Sequence, residues 1–243
     1  MSYILIIGAK SDIAKEVARV YAKHGYNLYL GARQAEQLND FVQDLKVRYK
    51  IEALNLELDL LNFEIHNSFY SNIKENIYGV ICVAGYMPDQ KLAEKDFFET
   101  QKIINTNYTG AVSLLNIISN DFEFRKEGFI IGVSSVAGDR GRKSNYLYGS
   151  SKAAFTAYLS GLRNRLSESN VQVITVKPGF VQTKLTENMD LPERLTAQPN
   201  EVAEDIYQGH QKGKNIIYTK WFWRYIMLII KCIPEFIFKK MSI

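Results

Sequence analysis

The stretch FIIGVSSVAGDRGRKSNYLYGSSKAAF, residues 129–155, decides how the chain is read. Phe129 to Val133 is an apolar run of the length of a buried strand. Lys152, Ala153 and Ala154 are good helix formers, so a helix starts near Tyr148. Ser135 therefore stands at a strand end, while Tyr148 and Lys152, four positions apart, share one face of the next helix. That pair has a chemical use. An ammonium beside a phenol favours the ionised form, so Lys152 is expected to bring the Tyr148 pKa down from about 10 toward neutrality and make the phenol an acid or base. The loop between Ser135 and Tyr148 is long enough to fold back and set the serine hydroxyl beside the phenol, so that two hydroxyls grip one carbonyl or alcohol oxygen. A Tyr-x(3)-Lys pair alone is more often an ordinary surface helix pair; the strand and Ser135 give it weight.

The elements on either side alternate. Tyr3–Ile7 reads as a strand, and Ile13, Val17, Val20 and Tyr21 recur at helical spacing through Lys23. Strands are expected over Asn27–Leu30, Ile51–Leu58, Tyr78–Val83, Val171–Lys177 and Asn215–Tyr218. Helices are expected over Ala35–Tyr49, Phe63–Lys74, Glu94–Ser119 and Glu201–Gln211. Alternation of this kind predicts an α/β fold, a single doubly wound parallel sheet of about seven strands with helices on both faces. Residues 1–219 would form the catalytic domain and residues 220–243 a helical tail extending it. No linker, repeat or low-complexity tract divides the chain.

The pattern Ser135-x(12)-Tyr148-x(3)-Lys152 resembles the catalytic signature of the short-chain dehydrogenase/reductase family, and the resemblance covers nearly the whole chain. It implies that Ser135 polarises the substrate oxygen, that Tyr148 exchanges the proton, and that Lys152 lowers the tyrosine pKa and binds the nicotinamide ribose. Asn107, within Asn105-Thr106-Asn107-Tyr108-Thr109-Gly110, is by the same resemblance a fourth catalytic residue, supporting a water in the proton relay. An asparagine is disfavoured inside a helix, which fits a special role or a buried structural hydrogen bond.

The cofactor elements match in part. The first strand and helix are joined by Gly8-Ala9-Lys10-Ser11-Asp12-Ile13-Ala14, where helix-terminal amides attract a pyrophosphate. The family pattern Gly-x(3)-Gly-x-Gly keeps only Gly8; Asp12 and Ala14 replace the other glycines. Asp12 would cap the helix but bring like charge to the phosphates, which Lys10 and Ser11 offset. After the second strand an acidic residue would bind the ribose of NAD, whereas a basic one accommodates the 2′-phosphate of NADP. Arg33 stands there, so NADP(H) is expected rather than NAD. By resemblance Asp59, with Leu60, lies by the adenine. Ala84 and Gly85 end the family's Asn-Asn-Ala-Gly stretch, with Cys82 and Val83 in place of both asparagines. Pro178, Gly179, Val181 and Thr183 resemble the loop that binds the nicotinamide carboxamide, and residues 184–200 correspond to a mobile substrate lid.

Composition bounds the rest. The chain has 243 residues and 47% hydrophobic content, enough for a substantial core, and 30 basic against 26 acidic residues, without a basic stripe that would suit nucleic acid. Cys82 and Cys232 lie in apolar runs as free thiols of a reducing compartment. His24, His66 and His210 have no ligand spacing, so no metal is expected. The apolar run after Met1-Ser2 is short for a signal segment, which reads as cytoplasmic. From Trp221 to Ile243 the tail mixes aromatic and aliphatic residues with Lys220, Arg224, Lys231, Lys239 and Lys240. Its uninterrupted apolar run is too short to span a bilayer, and the tail reads either as an interfacial helix at the inner membrane face or as a segment that packs on a partner subunit or roofs the substrate pocket. The implied activity is ketone–alcohol interconversion on a hydrophobic or lipid-linked substrate, sugar-bearing ones included, by a homodimer or homotetramer. The alternative is a catalytically weak nucleotide-binding regulator or membrane-associated scaffold on the same fold, prompted by the missing glycines and asparagines.

Overall fold

Strand and helix alternate from the first residues: β1 (Tyr3–Ile7), α1 (Asp12–Lys23), β2 (Asn27–Ala32), α2 (Asn39–Tyr49), β3 (Ala53–Glu57), α3 (His66–Ser71) and β4 (Ile77–Cys82). The chain continues through α4 (Gln90–Ala93), α5 (Phe97–Ile104), α6 (Gly110–Arg125), β5 (Phe129–Val133), α7 (Tyr146–Arg165) and β6 (Gln172–Pro178). Then come β7 (Phe180–Val181), β8 (Thr196–Ala197), α8 (Pro199–Gln211), β9 (Ile216–Thr219), α9 (Trp223–Cys232) and α10 (Glu235–Phe238). The computed structural model describes residues 2–187 and 189–241. Ser242 and Ile243, the end of the expected tail, lie outside the described residues, as does Asn188 in the expected lid.

Seven parallel strands form one sheet in the order β3-β2-β1-β4-β5-β6-β9, and β7 pairs with β8 in a small separate ribbon. The strands are apolar because helices cover both faces. Successive side chains point to opposite sides. Ile4 and Ile6 pack with Val17, Leu45 and Ile206, while Leu5 and Ile7 pack with Leu114, Ile118 and Leu159. The strand order reverses between β1 and β4, so their carboxyl ends open a crevice where doubly wound folds seat ligands.

Several expected elements are shorter or broken. The helix expected over Phe63–Lys74 is regular only as α3, flanked by 3-10 turns at Phe63–Ile65 and Lys74–Asn76. The long helix expected over Glu94–Ser119 is α5 and α6 joined by a π-helical segment, Asn105–Thr109, and runs on to Arg125. The asparagine-rich composition of that segment is the physical reason: Asn107 spends its side chain on contacts outside the helix. The tail is likewise two helices, since Pro234 removes a donor after α9. The ribbon pairs β7, just before the expected lid region, with β8 inside it; two-residue strands carry no usable periodicity in the sequence.

Candidate active site

The crevice between β1 and β4 is shaped by backbone. Gly8 has φ +81°, a region open to glycine, and a Cβ there would lie 2.9 Å from the Ala84 amide nitrogen. Its own amide and that of Ala9 donate to the Gly31 carbonyl at 3.0 and 3.1 Å. Ser11, not Asp12 as expected, caps α1: its Oγ accepts from the Ala14 amide at 3.1 Å. Asp12 is the first helical residue, and its Oδ2 accepts from the Lys184 amide at 2.8 Å. The aspartate in a glycine's place thus ties the loop after β7 to the start of α1.

Lys10 leans toward the end of β2, donating to Gln37 Oε1 at 2.6 Å and the Arg33 carbonyl at 3.3 Å. The nearby carboxylate of Glu57 accepts from the Gln34 and Ala35 amides at 3.0 and 2.9 Å, so it is committed to that turn. Asp59 Oδ1 accepts from the Leu61 amide at 2.9 Å, holding the turn after β3. One cavity is lined by Gly8, Arg33, Asp59, Leu60 and Ala84. A second, of about 300 Å³, is lined by Asp12, Ile13, Ser135, Tyr148, Lys152, Pro178, Gly179, Val181 and Thr183. Lys10, Ser11 and Gly85 border both, so the two form one groove across the strand ends. A glycine-lined floor, a helix N-terminus and two cations at one end suit an extended dinucleotide.

At the other end stand three of the four residues of the expected catalytic set, Ser135, Tyr148 and Lys152. Ser135 begins a 3-10 turn, its Oγ accepting from the Ala137 amide at 3.1 Å, and its hydroxyl also hydrogen-bonds the Tyr148 phenol. Lys152 is buried, and its Nζ donates to the Val133 and Ala84 carbonyls at 3.0 and 3.2 Å. Ser134 Oγ donates to the Lys152 carbonyl at 2.9 Å, stitching α7 to β5.

The expected depression of the Tyr148 pKa is not found. Burial pushes the phenol up to about 12, and the Ser135 hydrogen bond is the influence opposing it. Burial also pushes the Lys152 ammonium down to about 8. The reason is geometric: the ammonium is spent on two carbonyls and lies 5.9 Å from the Tyr148 ring centroid. At neutral pH Tyr148 therefore carries its proton, which suits an acid.

Asn107 lines neither cavity. It is buried, accepts from the Tyr86 amide at 2.7 Å, and gives its amide hydrogens to the Tyr86 carbonyl at 2.9 Å and Ser151 Oγ at 3.0 Å. Ser151 in turn donates to the Tyr148 carbonyl at 2.7 Å. Its side chain thus locks the π segment to α7 and has no hydrogen left for a water.

Residues that sequence reasoning did not single out complete the wall. A Cβ on Gly179 would lie 1.9 Å from Trp223 Nε1, so the tail packs directly on the Pro178-Gly179 turn. Trp223 and Met227 form a buried cluster with Val136, flanked by Phe180 and Leu195. Arg140 closes the far end of α9, donating to the Ile230 and Ile233 carbonyls, each at 2.6 Å, and pairing with Glu235 at 2.9 Å. Periodicity at 223, 226, 227 and 230 marks this inner face in the sequence; what it faces does not appear there.

The model of the family described as short chain dehydrogenase matches residues 2–194. An uncharacterized oxidoreductase of Mycobacterium tuberculosis is 31% identical over 241 residues, covering 98% of this chain and 96% of the relative. One of Streptomyces coelicolor is 28% identical, with 99% and 96% covered. Among solved structures, a short-chain dehydrogenase of Sphingobium yanoikuyae in complex with NADPH superposes with TM-score 0.85 at 22% identity, covering 94% of this chain and 92% of that one. One of Burkholderia cenocepacia in complex with NADP also gives 0.85 at 22%, with 98% and 96% covered.

Proposed function

Because the chain belongs to the short-chain dehydrogenase family, and is an oxidoreductase of it, we propose that it interconverts a ketone and a secondary alcohol using NADP(H). The observation that carries this reading is the meeting of Ser135, Tyr148 and Lys152 at the catalytic end of the groove. Bound NADPH supplies the hydride. The chain's own part is to hold and protonate. Ser135 and Tyr148 grip the carbonyl oxygen, and the phenol, protonated at neutral pH, gives its proton to that oxygen as the alcohol forms. Lys152 keeps a positive charge beneath the groove below about pH 8. Asn107 acts as a positioning residue through Ser151.

NADP rather than NAD is supported by Lys10 and Arg33 at the end of β2 and by the NADPH and NADP in the two superposed enzymes. Arg33→Ala is expected to raise the KM for NADPH by about tenfold or more, the loss of one charge-assisted contact, and to leave NADH little changed. Steady-state oxidation of both coenzymes checks this; a wild-type enzyme that uses NADH as well as NADPH would contradict it.

The substrate is proposed to be hydrophobic or lipid-linked, because Met87, Val136, Phe180, Leu185 and Met189 wall the catalytic cavity. The tail contributes twice. Its inner face buttresses that wall, and its outer face is proposed to touch a membrane. Trp221, Ile229 and Phe236 are 72, 67 and 67% exposed, and Tyr225 and Leu228 are exposed beside them. Arg224, Lys231, Lys239 and Lys240 are exposed among them, while Glu235, the acidic residue of this tail, is paired with Arg140. Among the described residues, no helix is long and apolar enough to cross a membrane.

A further inference from the structure

We propose that the substrate carries an oxyanion, a carboxylate or a phosphate, and that Arg142 receives it in the catalytic cavity. The inference rests on the carbonyl-reducing reading of that cavity and names the class of compound it takes. Arg142 lies on the loop between Ser135 and Tyr148 and lines the cavity with them. Its guanidinium stays charged in any protein setting. The same cavity is lined by Met87, Val136, Phe180 and Leu185, and burial pushes the Arg142 pKa down, which records the cost of keeping that charge there.

The contacts it makes inside the chain are poor. Nη2 reaches the Val136 carbonyl at 3.3 Å and the Met227 sulfur, a weak acceptor, at 3.5 Å. Nε is buried with no hydrogen-bond partner. The carboxylate that acts on it is Asp139, and only through space. Both Asp139 oxygens are otherwise engaged, by Lys177 Nζ at 2.5 Å and the Tyr218 hydroxyl at 3.1 Å. Glu235 is held by Arg140.

Two residues of the same region also hold a buried polar atom without a hydrogen-bond partner: Asn145, which lines the catalytic cavity, at Oδ1, and Gln90, which lines the adjoining one, at Nε2. The two cavities share Met87, Asn145, Tyr148, Leu185 and Met189. Buried polar groups in native proteins are ordinarily satisfied, so a poorly partnered guanidinium in a cavity wall calls for an acceptor from a ligand. The planar guanidinium fork matches carboxylate and phosphate oxygens. A substrate that fits this cavity has a carbonyl for Ser135 and Tyr148, an oxyanion for Arg142, and an apolar remainder against Leu185 and Met189.

Binding, rather than turnover, tests it. The full-length protein saturated with NADP+ is titrated calorimetrically with octanoate, octyl phosphate and 1-octanol. At least one of the anions is expected to bind about tenfold more tightly than the alcohol, and which one does separates carboxylate from phosphate. In Arg142→Met, which keeps the length and the contact with Met227, the anions are expected to fall to the level of 1-octanol. Arg142→Lys should recover part of the difference. Equal binding of all three probes to the wild type would overturn the proposal. So would an Arg142→Met protein that weakens anions and alcohol alike, a packing role, or one that loses NADP+ itself, a cofactor contact. Failure of the carbonyl-reducing reading shows separately, as absence of ketone-dependent NADPH oxidation with anion binding intact.

Discussion

Tyr148→Phe is expected to lower ketone-dependent NADPH oxidation by about 10³-fold, within the range that a positioned proton donor contributes. The change deletes one oxygen. Burial pushes that phenol up to about 12, so at neutral pH it holds a proton that phenylalanine cannot offer. The ring keeps its volume, and the hydrogen bond lost is the one shared with Ser135. NADPH affinity, followed by the cofactor's fluorescence, should therefore stay within about twofold, since Lys152 keeps its bonds to Val133 and Ala84. The wild-type reduction rate should also fall as pH rises through about 8, where the buried Lys152 loses the proton that supports charge on the oxygen. The sign follows from a lysine whose charged form is the useful one and whose pKa burial has lowered. A Tyr148→Phe enzyme within tenfold of the wild type would mean that the proton comes from another group.

Membrane partition is the other large effect. Full-length protein is expected to sediment with vesicles of phosphatidylcholine containing 30% phosphatidylglycerol and to remain in solution with pure phosphatidylcholine. Each basic residue near an anionic surface contributes about 1 kcal/mol, and insertion of exposed Trp221, Leu228 and Ile229 adds the burial of their apolar surface. Leu228→Asp with Ile229→Asp should reduce binding by well over tenfold. The same variant should keep its NADPH oxidation rate, because the buried contacts of α9 with the cavity wall are made by Trp223 and Met227. Equal sedimentation with neutral and anionic vesicles would contradict the account, as would a dimer whose assembly is abolished by the double substitution in place of vesicle binding.

Much of the fold is legible in the sequence because parallel strands covered on both faces are continuous apolar runs. The apolar runs Tyr3–Ile7 and Phe129–Val133 coincide with β1 and β5 to the residue. The breaks were not legible where side chains act at a distance. Asn107 interrupts a helix because Tyr86 and Ser151 are near it in space, and no local spacing reports that. Asp12 reads in the sequence as a helix cap that adds like charge near the phosphates; its partner, the Lys184 amide, is more than 170 positions away in the chain. Helical spacing identifies the Tyr148–Lys152 pair, but not its electrostatics. Burial and competing carbonyls outweigh the attraction that proximity alone suggests. The tail's composition fits a pocket roof, a partner contact or a membrane contact alike; only coordinates show that one face packs on Gly179 and Val136 while the other is uncovered.

The most direct measurement is the fate of the hydride. Wild-type protein is mixed with NADPH carrying deuterium at nicotinamide C4, in each stereochemical form, and with a ketone it reduces; the product is analysed by mass spectrometry. The account predicts one deuterium on the carbinol carbon from one of the two forms, with the hydroxyl hydrogen drawn from solvent through Tyr148. Alcohol that carries no deuterium from either form, or NADPH oxidised without alcohol, would contradict it.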